Sequence, residues 1–404
     1  MTNPFAEKHV VLGVTGSVAA YKAVELASKM TQSGALVDAV LTPAALHFVS
    51  ALQFQSVTGR KAYTDADLWG GEAHVVHINL GHSADLLLVA PATASTLAKL
   101  AHGIGDNLLC VTALAASCPL LLSPAMDLGM FSHPATQANV ETLKSRGAHF
   151  FGPAEGHLAS GLTGPGRFEE PARILSYARY LLSRGGPLAG KKVVVTAGGT
   201  QEPIDPVRRI TNRSSGKQGF AVAQAALDAG AEVTLISAPT TLEAPLGVTM
   251  IPVVTAADML SAVLAESQTA DALIMAAAVA DFTPAHPAGE KIKKKSAALS
   301  LDLAPTQDIL LTVAQQKKAS GFPRVTVGFA AESENLLENA AEKMIKKELD
   351  LLVANDISRS NSGFEVENNQ VVFLERSGAQ ETLPLLTKYE VAEKIIAKIA
   401  SQIG

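Results

Sequence analysis

The chain has 404 residues, of which 48% are hydrophobic and 18% charged, and its net charge at pH 7 is −5. These values predict a globular α/β protein with room for two domains, and they exclude an intrinsically disordered chain. The negative net charge gives no bulk attraction to nucleic acid or to an anionic membrane, so an anion site must be built locally. Cys110 and Cys118 are too few for a disulfide framework, and their spacing is not that of a zinc site.

The apolar segments predict buried elements rather than a signal peptide or a membrane span. The first residues lack a basic region followed by an apolar stretch. Residues 108–126 carry no charge and are long enough to cross a bilayer, but Pro119 and Pro124 divide them into a short helix and a strand. We therefore expect a cytoplasmic protein without a membrane partner.

Short runs rich in β-branched residues and leucine alternate with helical segments along the whole chain. The predicted strands are Val10–Val14, Val37–Leu41, Leu86–Ala90, Leu120–Ser123, Val193–Thr196, Val233–Ser237, Leu273–Ala277, Val325–Phe329 and Leu351–Ala354. Nearly continuous apolar strands of this kind belong in parallel sheets that are covered on both faces. The predicted fold class is therefore α/β, with two tandem doubly wound, Rossmann-like domains, mainly parallel sheets and a flavodoxin-like first domain.

Helix ends and turns are marked by small and polar residues. Three glycines stand between a helical pattern and a strand, as left-handed helix C-caps do: Gly34, Gly147 and Gly230. Ser132 is the predicted N-cap of a helix with Pro134 in its first turn. Residues 368–369, two asparagines between runs of alternating hydrophobicity, predict the turn of a hairpin.

The stretch "SRGGPLAGKK" predicts the domain boundary. The glycines and proline at 185–187 end one helical pattern, and the lysines at 191–192 open a new strand. Residues 1–189 are therefore expected to form the first domain and residues 190–404 the second.

The turn in "LGVTGSVAAYKA" predicts an anion site in the first domain. Gly16 and Ser17 leave backbone N–H groups available at a helix N-terminus. The glycine spacing is not a full dinucleotide fingerprint, and no acidic residue is well placed about twenty residues later. The stretch therefore favours a mononucleotide such as a flavin phosphate over NAD, with a plain strand–helix turn as the alternative.

Two lysine- or arginine-containing stretches predict anion contacts in the second domain. In "RRITNRSSGKQG", Ser214, Ser215 and Gly216 lie beside cations directly before a helix, which favours a phosphate site over a solvated basic turn. This is not a Walker A loop, because Gln218 stands where Ser or Thr is required. The run "GEKIKKKSAAL" begins with Lys291 and is either a solvated face or a mobile segment that brings ammonium groups to phosphates.

Three histidines in "HVVHINLGHSAD", at positions 74, 77 and 82, raise the question of a metal site. His77 and His82 are five residues apart and no third ligand is evident, so metal ligands remain unknown from the sequence. The stretch is consistent either with a single functional His77 or with a solvated loop histidine.

Long motifs in both halves point to one family. The first half carries "GVTGSVAAYK", "HINLGHSADLLLVAPATA", "GIGDNLL", "PAMD" and "ASGLTGPGR", and the second carries "VTAGGTQEPIDPVRRITNRSSGKQG", "AAAVADF", "EKIKK", "GFAAE" and "LLVANDI". In this order they resemble the bacterial bifunctional coenzyme A biosynthesis proteins, in which a phosphopantothenoylcysteine decarboxylase is fused to a phosphopantothenate–cysteine ligase. The resemblance covers nearly the whole chain, and its ligase motifs are the cleaner of the two.

By this resemblance, the second domain would activate phosphopantothenate with CTP and Mg²⁺, giving an acyl-cytidylate and pyrophosphate before the amine of cysteine attacks. Asn212 matches the residue that the family uses on the acyl-cytidylate, and Lys291 matches the first lysine of a K-x-K-K loop that serves the second half-reaction. The matches to the nucleotide site are Asp281, Lys291, Phe329, Lys343 and Lys347. Lys343 and Lys347 are four residues apart, so one helical face can present both.

The resemblance also implies that the first domain is a decarboxylase that binds FMN. The positions matching the flavin site are Gly16, Ser17, Thr42, Pro91 and Thr93. In the family the flavin oxidises the thiol-bearing carbon of the substrate, which eases the loss of CO₂, and the reduced flavin then returns the electrons to give 4′-phosphopantetheine. His77 matches the catalytic histidine of the family.

Two positions depart from the family pattern. The pattern reads P-x-M-N where this chain has Asp127, and it has a proton-donating cysteine where this chain has Ser160. An ionised Asp127 would repel the substrate carboxylate unless it is protonated or paired with His157 or Arg167, and a serine donates a proton less readily than a thiol. Because the surrounding motifs are preserved, we expect both to be catalytic residues of a working decarboxylase.

Two alternative functions stay open at this point. The first is an active ligase fused to a catalytically impaired flavin-binding regulatory or scaffold domain, and the second is a dehydrogenase with two NAD-binding domains, which the missing ribose-binding acid disfavours. The family suggests a homo-oligomer with trimeric decarboxylase halves and dimeric ligase halves, assembled into a dodecamer. No nucleic acid partner is expected.

Overall fold

The computed structural model describes residues 3–69, 75–293, 300–332, 336–356 and 368–403. The chain divides into two compact units between Leu182 and Ser183, which we call the N-terminal unit and the C-terminal unit. The sequence pattern alone sets the domain boundary a little later, after residue 189.

The N-terminal unit contains a six-stranded parallel sheet. Its strands are β1 (His9–Val14), β2 (Leu36–Leu41), β3 (Ala62–Tyr63), β4 (Leu86–Ala92), β5 (Leu120–Pro124) and β6 (His149–Phe150), followed by an antiparallel pair, β7 (Ala154–His157) and β8 (Thr163–Arg167). Its helices are α1 (Tyr21–Gln32), α2 (Ala51–Thr58), α3 (Val76–Ser83), α4 (Ala94–His102), α5 (Leu108–Ala115), α6 (Leu128–Ser132), α7 (Pro134–Ser145) and α8 (Pro171–Ser183). The sheet order is β3-β2-β1-β4-β5-β6, which becomes the flavodoxin-like order when the two-residue edge strand β3 is set aside.

Helices on both faces of this sheet explain why its strands are apolar throughout. All seven residues of β4 are buried. Leu26 and Met30 of α1 belong to the core on one face, and Leu97 of α4 and Leu108 of α5 belong to the core on the other. The predicted doubly wound α/β architecture is thereby confirmed.

The C-terminal unit contains an eight-stranded sheet and three small two-stranded ladders. Its strands are β9 (Lys192–Ala197), β10 (Gln201–Pro203), β11 (Arg209–Thr211), β12 (Glu232–Ser237), β13 (Thr249–Pro252), β14 (Ala272–Met275), β15 (Phe282–Pro284), β16 (Leu303–Pro305), β17 (Val325–Glu332), β18 (Leu351–Asp356), β19 (Asn368–Asn369), β20 (Val371–Glu375), β21 (Gln380–Thr382) and β22 (Leu386–Thr387). Its helices are α9 (Lys217–Asp228), α10 (Ala256–Ser267), α11 (Ile309–Ser320), α12 (Leu336–Lys346) and α13 (Lys388–Ile403). The large sheet runs β13-β12-β9-β14-β17-β18-β20-β21. The pairs β18–β20 and β20–β21 are antiparallel, and the other neighbouring strands pair in parallel.

Each of the nine predicted strands is present, and the three predicted C-cap glycines have positive φ angles of 97°, 89° and 90°. Residues 108–126 form α5 and β5, as their two prolines predicted. None of the helices in the described part of the chain is both long and apolar enough to cross a membrane.

Two local predictions are wrong. Residues 368–369 are not a turn but form β19, which pairs with β22; the tight hairpin lies between β20 and β21 instead. The N-cap of α7 is His133 rather than Ser132, because Ser132 still belongs to α6 and the Nδ1 atom of His133 accepts a hydrogen bond from the N–H of Ala135 at 3.2 Å. Pro134 occupies the first helical turn as predicted.

Candidate active sites

The N-terminal unit contains a cavity of about 940 Å³, which we call the N-terminal cavity. It lies at the carboxyl ends of the central strands, where Gly16 follows β1, Thr42 follows β2, Thr93 follows β4 and Ala125 follows β5. Open α/β sheets bind their ligands in this crevice, and a volume of this size suits a cofactor-sized molecule.

The turn after β1 leaves no room for a side chain. A Cβ atom on Gly16 would lie 2.5 Å from the Cβ of Ala44. The hydroxyl of Ser17 accepts a hydrogen bond from the N–H of Ala19 at 3.3 Å, opening the short 3₁₀ turn that leads into α1. The chain can therefore present backbone N–H groups closely to an anion at this helix start.

The structure brings four of the five predicted flavin residues to the cavity wall: Gly16, Ser17, Thr42 and Thr93. Pro91 is instead buried in β4, and its carbonyl oxygen accepts a hydrogen bond from the hydroxyl of Thr15 at 2.6 Å. The same hydroxyl accepts from the N–H of Thr93 at 3.1 Å. Pro91 thus helps to join the turns after β1 and β4, behind the wall rather than in it.

Asp127 and Ser160 contact each other at the cavity. The hydroxyl of Ser160, in the turn between β7 and β8, donates to Oδ2 of Asp127 at 2.5 Å. Oδ1 of Asp127 accepts from the N–H of Gly129 at 2.9 Å, which caps α6. The Ser160 hydroxyl, followed by the Gly129 N–H, lowers the pKa of Asp127 below its ordinary value. Asp127 is therefore ionised at neutral pH.

The pairing of Asp127 with His157 or Arg167 that the sequence suggested is not found. Arg167 donates instead to the carboxylate of Glu170 at 2.7 Å. Lys22 of α1 contacts the same carboxylate at 3.1 Å and lowers the pKa of Glu170. Ser160 therefore takes the place that the sequence assigned to a cation.

His77 lies at the start of α3 and is not brought into the N-terminal cavity. Its Nδ1 atom is buried without a hydrogen-bond partner in the part of the chain that the structure describes. Its neighbours in sequence, Val75 and Ile78, are 58% and 39% exposed. His74 lies outside the described residues. The chain thus carries a partly buried histidine beside an exposed apolar surface.

Sequence reasoning assigned no role to four polar residues of the "GIGDNLL" region and its surroundings that line this cavity. Lys99 pairs with Asp106 at 2.7 Å, and this hydrogen bond raises the pKa of Lys99. Asn107 caps α5 by accepting from the N–H of Cys110 at 2.9 Å, while Asp65 accepts from the N–H of Leu108 at 3.0 Å. The signal available in the sequence was an aspartate followed by an asparagine directly before an apolar helix, which is typical of a helix N-cap.

The C-terminal unit contains a second cavity, of about 490 Å³, which we call the C-terminal cavity. It lies at the carboxyl ends of β14, β17 and β18 and at the start of α9. The predicted residues in its wall are Asn212, Ser214, Ser215, Gly216, Asp281, Phe329, Lys343 and Lys347. Residues that are far apart in sequence are thus gathered at one end of the sheet.

The N-terminus of α9 opens onto this cavity. Its N-cap is Gly216, with a φ angle of 77° and no side chain of its own to cap the helix. The hydroxyl of Ser215 accepts a long hydrogen bond, of 3.5 Å, from the N–H of Lys217 in the first turn. Gly219 packs against β9 so closely that a Cβ atom would lie 2.7 Å from the carbonyl oxygen of Thr196. Available N–H groups and the helix dipole together favour an anion here.

Cationic and amide side chains complete the wall. Lys347 follows α12 and contacts the carboxylate of Asp308 at 3.1 Å. Asp308 caps α11 by accepting from the N–H of Leu311 at 3.2 Å. The side-chain NH₂ group of Asn212 donates to the backbone carbonyl of Val279 at 3.1 Å. The side-chain oxygen of Asn212 takes no part in this hydrogen bond.

Lys291 is the predicted residue that the structure does not bring into the C-terminal cavity. Its side chain is exposed, and the lysines at 294 and 295 lie outside the described residues. The neighbouring Ile292 donates its N–H to the carboxylate of Asp205 at 3.1 Å, which fixes the backbone of this loop outside the cavity wall.

Sequence reasoning missed two buried asparagines in the wall. Asn355 is the penultimate residue of β18 and Asn369 belongs to β19, and they are 8% and 3% exposed. Neither Oδ1 atom has a hydrogen-bond partner within the described ranges. Asn355 lies opposite Val371 in the β18–β20 ladder, which brings the two asparagines to the same corner. The motif "LLVANDI" contained Asn355, but only tertiary packing shows that its side chain is buried.

Comparison with known proteins identifies the relatives of this chain. The family model described as "Flavoprotein" matches residues 2–183, and the "DNA/pantothenate metabolism flavoprotein C-terminal domain" matches residues 188–403. The coenzyme A biosynthesis bifunctional protein CoaBC of Bacillus subtilis is 43% identical over 397 residues, covering 98% of this chain and 97% of the relative. The protein of the same name from Mycolicibacterium smegmatis is 42% identical over 408 residues, covering 98% of each chain. A crystal structure of the C-terminal domain of such a protein is 40% identical, with a TM-score of 0.46, and covers 54% of this chain and 97% of that one.

Proposed function

The chain belongs to the family of coenzyme A biosynthesis bifunctional proteins, and on that premise we propose which cavity performs each of its two reactions. As a member of this family it is a bifunctional enzyme of coenzyme A biosynthesis, a decarboxylase and a ligase. We assign the decarboxylase to residues 1–189 and the ligase to residues 190–404. The two family models, one for each part, support this division.

In the C-terminal cavity the carboxylate of phosphopantothenate attacks the α-phosphorus of CTP and displaces pyrophosphate. The amine of cysteine then attacks the acyl carbon of the acyl-cytidylate and displaces CMP. The single observation that carries this proposal is the α9 N-terminus, where Ser214, Ser215 and Gly216 face lysines 343 and 347 across one cavity. Amide groups, a helix dipole and lysines stabilise the charge of phosphates in a site that excludes water.

Other residues of this site have assigned roles in the two half-reactions. Asn212 binds the acyl-cytidylate, while Asp281 and Phe329 contact the nucleotide. Lys291 serves the attack of cysteine. Mg²⁺ would enter with CTP, because magnesium is commonly held by substrate phosphates with one or two carboxylates. Asp281 and Asp308 are the carboxylates of the wall that suit this role.

The N-terminal cavity suits FMN in volume and in the anion site at the start of α1. Gly16 and Ser17 would hold its phosphate, and Thr42 and Thr93 would contact the rest of the cofactor. Bound FMN supplies reversible two-electron oxidation and reduction of the thiol-bearing carbon of phosphopantothenoylcysteine. Asp127 and Ser160 orient the substrate as a hydrogen-bonded pair, and loss of CO₂ leads to 4′-phosphopantetheine.

We further propose that the chain works as a cytoplasmic homo-oligomer. His77, the proposed third catalytic residue of the decarboxylase, lies outside the cavity of its own chain, and its neighbours Val75 and Ile78 are exposed apolar residues. An exposed apolar surface of this kind is typical of subunit contacts. We propose trimeric decarboxylase halves and dimeric ligase halves, combined in a dodecamer, in which His77 lies at a contact between subunits.

Pyrophosphate release tests the ligase assignment. Purified protein with phosphopantothenate, CTP and Mg²⁺ but without cysteine is expected to release pyrophosphate, and ATP or UTP in place of CTP is expected to release much less. Release that does not depend on phosphopantothenate would contradict the assignment. The absorption spectrum of the same preparation is expected to show bound flavin, and a colourless protein that takes up no added FMN would refute the decarboxylase assignment.

The second candidate is an active ligase fused to a flavin-binding regulatory or scaffold domain. The ionised state of Asp127 favours it, because this carboxylate stands where the family pattern has a neutral amide. A protein that binds FMN and makes phosphopantothenoylcysteine, but does not decarboxylate it, would support this candidate.

A further inference from the structure

We propose that Asp205 is a positioning residue for the ligase reaction, because its carboxylate holds the backbone from which Lys291 projects. The inference rests on the ligase function proposed above, in which Lys291 serves the attack of cysteine. It concerns a residue outside the C-terminal cavity, in the loop that joins β10 to β11.

The carboxylate of Asp205 is fully buried and surrounded by donors. Its side chain is 0% exposed. Oδ1 accepts from the N–H groups of Val207 and Arg208, both at 2.8 Å. Oδ2 accepts from the N–H of Ile292 and from Nη1 of Arg208, both at 3.1 Å. Four donors match the acceptor capacity of one carboxylate, and a buried charge is tolerated when it is paired in this way.

The two oxygens serve different segments. The bonds to Oδ1 stay within the 204–208 turn, as those of aspartates commonly do, and a backbone bond from the N–H of Ile204 to the carbonyl of Arg208 at 2.9 Å closes the same turn. Oδ2 reaches a segment more than eighty residues away in sequence, at Ile292. A purely local role for Asp205 would need only the Oδ1 bonds.

Ile292 is held at both of its backbone polar groups. Its N–H binds Asp205, and its carbonyl oxygen accepts from Nη2 of Arg208 at 3.2 Å. The ion pair of the buried Asp205 with the partly exposed Arg208 therefore holds the residue directly after Lys291. A second bond, from the N–H of Ala288 to the carbonyl of Ile204 at 2.9 Å, joins the same two segments.

This attachment of the backbone matters because Lys291 has an exposed side chain and lies outside any helix or strand, seven residues after the end of β15. A flexible lysine would have to be ordered in every catalytic cycle, whereas a fixed backbone restricts it beforehand. Misplacement of a reacting group by about 1 Å can lower a rate by about a hundredfold. Asp205 and Arg208 thus act on the reaction through Lys291.

The test uses Asp205→Asn in the full-length protein and separates the two half-reactions. The rate of acyl-cytidylate formation, measured as pyrophosphate release in the absence of cysteine, is expected to stay within about twofold of wild type. Amide formation after cysteine is added is expected to fall at least about tenfold, so that acyl-cytidylate accumulates in the mass spectrum. Lys291→Ala provides the reference pattern.

Ile292→Pro is the second variant, because proline removes the N–H that binds Oδ2 and leaves the 204–208 turn untouched. It is expected to show the same selective loss. Asp258→Asn is the matched control: this aspartate also accepts backbone N–H bonds, from Val254 at 3.3 Å and Thr255 at 2.9 Å, but caps α10. Both of its half-reactions are expected to proceed at wild-type rates.

Equal loss of both half-reactions in Asp205→Asn and Ile292→Pro, or no loss in either, would overturn the positioning role. Failure of the wild-type protein to form acyl-cytidylate would contradict the ligase function itself. Acyl-cytidylate formation by the wild-type protein is therefore measured first, before any variant is compared with it.

Discussion

Asp127 and Ser160 occupy the two positions at which this chain departs from the family pattern, and a hydrogen bond of 2.5 Å joins them. The two residues are 33 positions apart in the sequence, on α6 and in the turn before β8. A carboxylate and a hydroxyl form a complementary acceptor and donor. Each of the two residues thus has the other as its hydrogen-bond partner, and the effects of changing them are expected to be coupled.

A double-mutant cycle tests this unit. Asp127→Asn and Ser160→Cys are each expected to slow decarboxylation of supplied phosphopantothenoylcysteine, because each leaves its partner mismatched. Together they restore the family pattern, so the combined loss is expected to be at least about fivefold smaller than the product of the single losses. Ser160→Cys combined with Asp106→Asn is the control, since Asp106 lines the same cavity but pairs with Lys99. Additive losses in the first cycle would contradict the account.

Asn355 provides a second prediction at this scale. Its Oδ1 atom is buried without a partner in the described residues, and such an atom costs the free protein about 1–3 kcal/mol. Asn355→Leu is expected to leave the Tm of the ligand-free protein unchanged or higher, while the rise in Tm on adding CTP and phosphopantothenate shrinks. A lower Tm with an unchanged ligand response would show that the oxygen serves stability rather than binding.

At the scale of secondary-structure elements, the start of α9 depends on the left-handed conformation of Gly216. An alanine there costs about 1–2 kcal/mol in backbone strain, and its Cβ would lie 3.4 Å from the N atom of Gly198. Gly216→Ala is expected to lower the Tm and to weaken CTP binding. Gly321→Ala is the matched control, because Gly321 has the same φ of 77° in open space, at the end of α11. It is expected to lower the Tm alone; equal loss of CTP binding in both variants would contradict the α9 site.

The turn before α1 gives the corresponding prediction for the N-terminal cavity. Gly16→Ala would push a Cβ atom against Ala44, and overpacking of this kind costs about 1–3 kcal/mol. The flavin content of the purified variant, measured from its absorbance, is therefore expected to fall at least about fivefold. Gly185→Ala, which introduces a methyl group into open space, is expected to retain wild-type flavin. Full flavin content in Gly16→Ala would place the cofactor elsewhere.

At the scale of the whole molecule, the single tryptophan of the chain reports assembly. Trp69 is 90% exposed in the isolated chain. If Trp69 is covered in a subunit contact, its emission is expected to be blue-shifted in the native protein and to move to longer wavelength in step with dissociation measured by light scattering. Emission typical of a solvated indole in a particle of oligomeric mass would place the subunit contact elsewhere.

The sequence predicted the parts of this molecule that depend on local chemistry. Strands such as β4 and helix caps such as Gly34 follow from hydrophobic periodicity and from backbone freedom. Local patterns could not predict which residues share a cavity, because that depends on tertiary packing; the family resemblance supplied most of the wall residues, but not all of them. His77, Pro91 and Lys291 were assigned to sites by motif, yet each lies outside the expected wall.

The wrong turn at residues 368–369 has a similar cause. Asparagine is common in turns, but these two residues pair with β22, which lies further along the chain, and so form a short strand. Contacts between distant segments, such as Asp127 with Ser160 and Asp205 with Ile292, leave no periodic signal in the chain.

The central claim, that two cavities of one chain perform successive reactions, is tested most directly by a single reaction. Purified protein is incubated with phosphopantothenate, cysteine, CTP and Mg²⁺, and the products are followed in time by mass spectrometry. The account predicts that phosphopantothenoylcysteine appears first and is converted to 4′-phosphopantetheine. Phosphopantothenoylcysteine that accumulates without conversion would contradict the role of the N-terminal cavity, and the absence of any acyl product would contradict the account as a whole.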